Sequence, residues 1–96
     1  MASYTYIVTS QTRGTLYVGV TSNLVRRIFE HRNGVGGHFT TRHKLHQLVW
    51  FEEHATITAA ITREKQLKAW KCDWKIQLIE EQNLYWSDLY PAIARP

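Results

Sequence analysis

Two short segments near the start of the chain decide its fold: residues 4–8 read Tyr-Thr-Tyr-Ile-Val and residues 16–21 read Leu-Tyr-Val-Gly-Val-Thr. Both segments are rich in aromatic and β-branched residues, which favour β-strands. The polar stretch between them is short and includes Gly14. The pattern therefore predicts strands over Tyr4–Thr9 and Thr15–Val20, joined as a β-hairpin.

The rest of the chain predicts three helices and one more strand. Residues that cap helices precede the apolar pattern of Leu24–Arg32, which predicts the first helix. Leu48–Glu53 is apolar and aromatic at its centre and predicts a third strand. Thr56 can cap a second helix that runs to about Lys71, and a third helix follows. The order β-β-α-β-α-α predicts an α+β fold, in which helices flank a small three-stranded antiparallel sheet.

The length and composition predict one compact domain. The chain has 96 residues, of which 44% are hydrophobic, so we expect a single domain over residues 1–96 with its core at about 4–89. No apolar run approaches the ~20 residues that a membrane span needs, and no signal peptide is visible. Cys72 is the only cysteine, which excludes an internal disulfide and favours a reducing compartment. We expect a cytoplasmic protein that is a monomer or a weak dimer.

Positive charge is concentrated in two parts of the chain, residues 26–46 and residues 63–75. The formal net charge is +4, and the segment between residues 26 and 46 has five Arg or Lys and four His residues against Glu30 alone. Such a distribution suits contact with a nucleic-acid backbone, although a solvated basic surface would look the same. The residues that we expect to contact nucleic acid are Arg26, Arg42, Lys44 and Lys68.

Glu64 lies in an unusual position on the second predicted helix. Apolar residues at helical spacing form one stripe of that helix, namely Ile57, Ala60, Ile61 and Leu67. Glu64 falls in the middle of this stripe, where a carboxylate is costly unless its charge is compensated. The compensating partner is either a divalent metal ion or Lys68, one helical turn further on.

Two more groups of polar residues can contribute to a site. Arg27 and His31 are one turn apart, so they either point into one cleft or form a basic helix edge in water. Arginine can bind phosphate through two parallel hydrogen bonds, and histidine can relay a proton. Tyr6 and Tyr17 are either core rings or functional hydroxyls. Gly19 predicts a close backbone approach beside them.

The spacing of the histidines and the lone cysteine does not fit a zinc site.

Taken together, these segments resemble the GIY-YIG endonuclease superfamily, and in particular its small stand-alone bacterial branch. The similarity runs from Tyr4 to Leu89 and includes the paired strands, the helix motifs Asn23–His31 and Ala60–Lys68, and the closing segment Trp86–Leu89. The first motif departs from the family letters because it reads Thr-Tyr-Ile. Val20 stands where some relatives have lysine, and His43 stands where tyrosine is usual in this branch.

The resemblance implies a nuclease that uses one Mg²⁺ or Mn²⁺ ion and cuts nucleic acid, DNA rather than RNA, in repair or recombination. By position, the implied catalytic residues are Tyr6, Tyr17, Arg27 and His31. Glu64 matches the metal-binding glutamate, and Asn83 loosely matches an asparagine near the site. We expect Tyr17 to be the general base, because it precedes Gly19, where the backbone would let the substrate approach closely. Tyr6 would then orient the water or hydrogen-bond the phosphate, and the opposite assignment of the two tyrosines stays open.

Two other functions compete with the nuclease. One is a module that binds nucleic acid through the same basic face without cutting it. The other is a protein-interaction domain whose partner surface is formed by Trp70, Trp74 and Trp86. The catalytic set is intact, which favours the nuclease.

Overall fold

The computed structural model describes residues 2–33 and 47–94. The predicted backbone contacts Arg42 and Lys44 lie outside these ranges, as does His43. Their assignment to nucleic-acid binding stays a prediction from the sequence.

A three-stranded antiparallel sheet forms the centre of the fold. Its strands are β1 (Ser3–Thr9), β2 (Leu16–Thr21) and β3 (Gln47–His54), in the order β2-β1-β3. Tyr6 on the central strand pairs with Gly19 on β2. The predicted hairpin and the predicted antiparallel sheet are therefore confirmed.

A β-bulge interrupts the pairing of β1 with β3. Ile7 pairs with Trp50 and its neighbour Val8 pairs with Leu48, so Val49 is an extra residue in β3. A bulge breaks the strict alternation of side chains between the two faces of a sheet. As a result, Val49 and Trp50 are consecutive residues but belong to the same buried cluster.

Within residues 2–33 and 47–94, four helices surround the sheet. Their bounds are α1 Leu24–Arg32, α2 Ile57–Ala69, α3 Cys72–Gln82 and α4 Tyr90–Ile93. The side chain of Asn23 accepts a hydrogen bond from the backbone N–H of Arg26, and Thr56 caps α2 in the same way. Such caps satisfy backbone donors that the helix itself leaves unpaired. Over residues 2–33 and 47–94, no helix is long and apolar enough to cross a membrane.

The sheet divides the core into two clusters. One cluster joins the sheet to α2 and α3 and contains Ile7, Val18, Val49, Trp50, Leu67, Ile79 and Trp86. The other joins the sheet to α1 and contains Tyr6, Val8, Leu24, Ile28 and Leu48, with Tyr90 and Ile93 of α4 packed against it. Neighbouring residues of β1 thus point to opposite faces, as strand geometry requires. Helices cover both faces, and Tyr6 points towards α1.

The short helix α4 is an element that the sequence did not predict. Its position depends on Asp88, whose carboxylate accepts hydrogen bonds from the backbone N–H groups of Leu48 and Tyr90. The N–H of Leu89 in turn donates to the carbonyl of Leu48 at 2.8 Å. The two contacts with Leu48 connect residues that are distant in sequence, so a local pattern gives no sign of them.

Two expectations about exposure are wrong. Ile57 is 45% exposed, so the apolar stripe of α2 does not extend to the first residue of the helix, although Ala60 and Leu67 are fully buried. Trp86 is only 2% exposed and cannot form a partner surface with Trp70 and Trp74. Its backbone adopts a left-handed conformation, with φ of 57°, and its indole N–H donates to Glu80 at 2.7 Å.

Candidate active site

The centre of the candidate site is a contact between Tyr6 of β1 and His31 of α1. Leu24, Ile28 and His31 are spaced four and three residues apart and are all buried, so the same helix face that packs on the sheet carries the imidazole. The Tyr6 hydroxyl lies 2.9 Å from Nε2 of His31. Tyr6 is fully buried and His31 is 4% exposed. The predicted helix face therefore brings two of the predicted catalytic residues into a hydrogen bond.

Gly19 makes room for the Tyr6 ring. A Cβ atom at Gly19 would lie 2.5 Å from both Cζ and the hydroxyl oxygen of Tyr6, and 3.0 Å from the Tyr17 ring. Such distances are far inside van der Waals contact, so any larger residue would displace the Tyr6 side chain. The close approach predicted at Gly19 thus exists, but a side chain of the protein makes it. The reason for preferring Tyr17 as the general base is accordingly lost.

Tyr17 lies between His31 and helix α2. Its ring centroid is 5.9 Å from that of His31, at an interplanar angle of 67°, and the edge-on geometry is a favourable one for aromatic rings. The ammonium of Lys68 lies 5.9 Å from the Tyr17 ring centroid, within the range of a cation–π contact. Tyr17 therefore contacts both elements that carry the predicted catalytic and metal-binding residues.

Arg27 lies at the exposed side of the site, one turn before His31. Its Nε is 3.4 Å from Glu30, and the Nε of Arg26 is 3.4 Å from the other oxygen of the same carboxylate. The Arg27 side chain is 45% exposed and that of Arg26 is 76% exposed. With Thr21–Asn23, these three side chains line a shallow cavity of about 260 Å³. Arg27 thus lies beside the buried Tyr6–His31 pair and is accessible to a phosphate.

The electrostatic environment of Tyr6 links the predicted site residues. Burial raises the pKa of Tyr6 above its usual range, and the neighbouring Tyr17 adds to the rise. Arg27 opposes the rise through its charge and a hydrogen bond, whereas the charge of Glu64 raises the pKa slightly further. Tyr6 is therefore a neutral phenol at neutral pH. Arg27, Tyr17 and Glu64 are all near enough to act on its hydroxyl.

His31 is neutral in the folded protein. The pKa of His31 is lowered to about 4, first by burial and then by the positive charge of Arg27, while Glu30 acts in the opposite direction. At neutral pH the imidazole consequently has one nitrogen that donates and one that accepts a hydrogen bond. In the tautomer protonated at Nδ1, Nε2 can accept the proton of the Tyr6 hydroxyl.

Glu64 and Lys68 form an ion pair beside Tyr17. The Lys68 Nζ lies 3.5 Å from Oε2 of Glu64, and the side chains are 51% and 17% exposed, respectively. Within residues 2–33 and 47–94, no three His, Cys, Asp or Glu side chains are grouped to enclose a metal ion. Mg²⁺, however, is often bound by one or two carboxylates together with water and substrate phosphate. A single, partly accessible carboxylate such as Glu64 fits that mode of binding.

The comparison with known protein families decides the identity of the fold. The family described as the GIY-YIG catalytic domain matches residues 2–77. The chain belongs to the GIY-YIG family. GIY-YIG domains are nuclease domains, so the general class of the enzyme is endonuclease. The resemblance that the two tyrosine strands indicated is confirmed.

Small relatives of similar length share this GIY-YIG domain. A UPF0213 protein of Haloquadratum walsbyi is 40% identical over 78 residues, which cover 81% of this chain and 86% of the relative. A UPF0213 protein of Staphylococcus saprophyticus is 36% identical over 78 residues, covering 81% and 94%. The solution NMR structure of a UPF0213 protein from Bacillus halodurans matches with a TM-score of 0.54 and 28% identity, covering 86% and 87%. That structure confirms the predicted α+β fold.

Asn83 has a structural role in this GIY-YIG domain. Its amide nitrogen donates to the carbonyls of Val49 at 3.0 Å and Ser87 at 2.9 Å, and its side-chain oxygen accepts from the Ser87 N–H at 3.0 Å. Asn83 is 8% exposed and follows the end of α3. These bonds fix the turn after α3 against β3. A role of Asn83 in the chemistry stays an untested prediction.

The sequence did not indicate that Asp88 holds the end of α1 in place. The Asp88 carboxylate pairs with the guanidinium of Arg32, which also lies 4.8 Å above the Tyr90 ring. Arg32 directly follows His31, so this contact fixes the helix turn that carries the imidazole. Only the motif around Trp86–Leu89 gave a signal for this region, and it did not identify the partner.

Proposed function

We propose that this GIY-YIG domain is a divalent-metal-dependent endonuclease that hydrolyses phosphodiester bonds in DNA. The observation that supports this most is the hydrogen bond between the Tyr6 hydroxyl and the neutral imidazole of His31. It joins a buried proton donor to a buried proton acceptor, next to an accessible arginine and a carboxylate.

The Tyr6–His31 pair can remove a proton from the attacking water in one concerted step. Because the pKa of Tyr6 is raised, a free phenolate is not available at neutral pH. Instead, the Tyr6 oxygen accepts the proton of the water while its own proton passes to Nε2 of His31, 2.9 Å away. Tyr6 is then unchanged, His31 is an imidazolium, and the water oxygen forms the new bond to phosphorus while the bond between phosphorus and the leaving oxygen breaks. The leaving oxygen takes a proton from solvent, and His31 afterwards returns its proton to solvent.

Arg27 would bind the scissile phosphate and assist the same proton transfer. Its planar guanidinium suits two parallel hydrogen bonds to phosphate oxygens, and nearly half of the side chain is accessible. The positive charge of Arg27 is one of the causes that lower the pKa of His31. A bound phosphate would offset that charge, so substrate binding would make His31 a better proton acceptor.

Glu64 is the residue that would hold the metal ion. Its carboxylate is partly accessible, and its charge acts on the Tyr6 hydroxyl, which supports a metal site close to the proposed base. A bound Mg²⁺ or Mn²⁺ would stabilise negative charge on the phosphate and the leaving oxygen. Tyr17, in contact with His31, would orient the water or hydrogen-bond the phosphate.

The direct test is a cleavage assay with labelled DNA and RNA structures in Mg²⁺ or Mn²⁺. We expect wild-type protein to cut DNA, and Tyr6→Phe and Glu64→Ala to lose most of the activity. Tyr85→Phe is the matched control, since Tyr85 is 83% exposed and outside the site. Tight DNA binding without any cleavage would instead support the binding module, and equal cleavage by wild type and Glu64→Ala would refute the metal assignment.

A further inference from the structure

Lys68 occupies the one carboxylate that the proposed metal ion needs. Its Nζ lies 3.5 Å from Oε2 of Glu64. The same ammonium is 5.9 Å from the Tyr17 ring centroid, so it contacts both the Glu64 carboxylate and the Tyr17 ring. A divalent ion at Glu64 and the Lys68 ammonium cannot both use this carboxylate without strong repulsion between the two cations.

The burial of Glu64 makes this ion pair more than an ordinary surface contact. Exposed pairs four residues apart on a helix contribute little, because water and salt screen both charges. The Glu64 side chain, however, is only 17% exposed. A carboxylate with so little water around it depends on a cation, and Lys68 provides one in the protein described here.

We propose that Lys68 is a displaceable counter-ion that couples metal binding to nucleic-acid binding, a role that rests on the proposed nuclease function. Without substrate, Lys68 neutralises Glu64 and weakens the binding of a divalent ion. When nucleic acid binds, the Lys68 ammonium forms an ion pair with a backbone phosphate instead of with Glu64. The Glu64 carboxylate then becomes available to the metal.

The side chain of Lys68 is suited to this exchange. It is 51% exposed, so its ammonium can leave Glu64 for a phosphate in solvent without first unpacking the core. Lysine carries its charge on a flexible stem, and Tyr17 can keep that charge near the site while it changes partner. Because coupling between two ligands is reciprocal, the metal must in turn strengthen nucleic-acid binding by the same factor.

The test measures Mn²⁺ binding by calorimetry, so its readout does not depend on cleavage. All proteins carry Tyr6→Phe to prevent turnover, and each is titrated with Mn²⁺ alone and with a short mixed-sequence DNA duplex that has unpaired ends. With Lys68 present, we expect DNA to tighten Mn²⁺ binding by roughly 5–150-fold, the usual range of such coupling. Lys68→Met should bind Mn²⁺ more tightly than the parent without DNA, and DNA should then add much less.

Lys65→Met is the matched control, because it removes the same charge from an exposed position next to Glu64 in sequence. It should change Mn²⁺ affinity less than Lys68→Met does. If the two variants behave alike while Glu64→Ala abolishes Mn²⁺ binding, the counter-ion role is wrong and the proposed nuclease is unaffected. If Glu64→Ala binds Mn²⁺ as well as the parent, the metal assignment fails together with the inference.

Discussion

The hydroxyl of Tyr6 and Nε2 of His31 lie 2.9 Å apart, although 25 residues separate them in the sequence. The contact connects the central strand to the last turn of α1, and both side chains are buried. The burial of both partners distinguishes it from an ordinary surface hydrogen bond, so its removal tests one specific contact.

Tyr6→Phe should separate chemistry from stability. The substitution keeps the ring and its packing but removes the hydroxyl that bonds to Nε2 of His31. We expect a loss of about 0.5–1.5 kcal/mol in the free energy of unfolding, the net contribution of one hydrogen bond. Single-turnover cleavage should fall further, by ~10²–10⁴-fold, as for a lost general base. Denaturant unfolding and cleavage are measured on the same samples.

Tyr17→Phe provides the comparison for that experiment. If Tyr6 is the base, Tyr17→Phe should retain more activity than Tyr6→Phe and should lose less stability, because Tyr17 is only half-buried. A larger loss of cleavage in Tyr17→Phe would reverse the assignment of the two tyrosines. Normal cleavage in both variants would mean that Tyr6 and Tyr17 only pack in the core and take no part in catalysis.

The stability of the domain should fall between pH 6.5 and about 4 because of His31. The pKa of His31 is lowered to about 4 in the folded protein, against a usual 6.5 when the chain is unfolded. Over this window the unfolded state binds a proton that the folded state does not, so acid favours unfolding. The effect amounts to at most about 3 kcal/mol and is complete near pH 4.

His31→Gln isolates this contribution from that of the other histidines. Glutamine does not titrate, so the stability difference between wild type and variant should shrink as the pH falls from 7 to 4. Urea unfolding at a series of pH values measures it. A difference that stays constant with pH would mean that His31 is not buried in its neutral form.

Gly19→Ala should move the Tyr6 ring. The added methyl group would lie 2.5 Å from the ring and from the hydroxyl, and neither can retreat because Tyr6 is fully buried. We expect a loss of roughly 1–3 kcal/mol in stability, as for other overpacked cores, and a loss of cleavage. Gly14→Ala is the control, since the two atoms nearest its Cβ belong to the exposed side chains of Ser10 and Gln11, which can rotate away. The Gln11 carbonyl oxygen, at 3.1 Å, needs to move by only a few tenths of an ångström. Equal effects at both glycines would contradict a specific clash with Tyr6.

The sequence predicted the elements of the fold better than the contacts between them. The bounds of α1, Leu24–Arg32, are those expected, because Asn23 caps the helix locally and Asn33 and Gly34 follow it. Periodicity also predicted the buried positions Ala60 and Leu67 of α2. Each of these features depends on residues within one or two helical turns, where a local pattern carries the information.

The contacts that build the site depend on residues far apart, and local patterns could not predict them. Spacing alone left open whether Arg27 and His31 point into one cleft or form an ordinary basic edge, and only the family resemblance brought them together with Tyr6 and Glu64. The clash at Gly19 and the burial of Trp86 arise from tertiary packing and a left-handed backbone. Lys68 was expected either to pair with Glu64 or to contact nucleic acid, and its position over Tyr17 was not foreseen.

Arg27 and Arg26 are a matched pair of variants that can distinguish a role in the chemical step from a contribution of positive charge to DNA binding. Both side chains lie 3.4 Å from the Glu30 carboxylate, so either substitution removes one positive charge and one ion pair from the same helix. Only Arg27 acts on Tyr6 and His31, whose pKa values it lowers. We therefore expect Arg27→Ala to reduce kcat strongly, because its guanidinium would stabilise the transition state.

Arg26→Ala should instead weaken DNA binding, reduce its salt dependence and leave kcat close to that of wild type. Single-turnover cleavage at saturating protein gives the rate of the chemical step, and DNA binding without metal at several salt concentrations gives the affinity. Removal of Arg27 should also raise the pKa of His31, so the pH dependence of stability should move towards pH 6.5 in Arg27→Ala but not in Arg26→Ala. If both variants lose only affinity, Arg27 is a backbone contact, and the chemistry assigned to it belongs to another group.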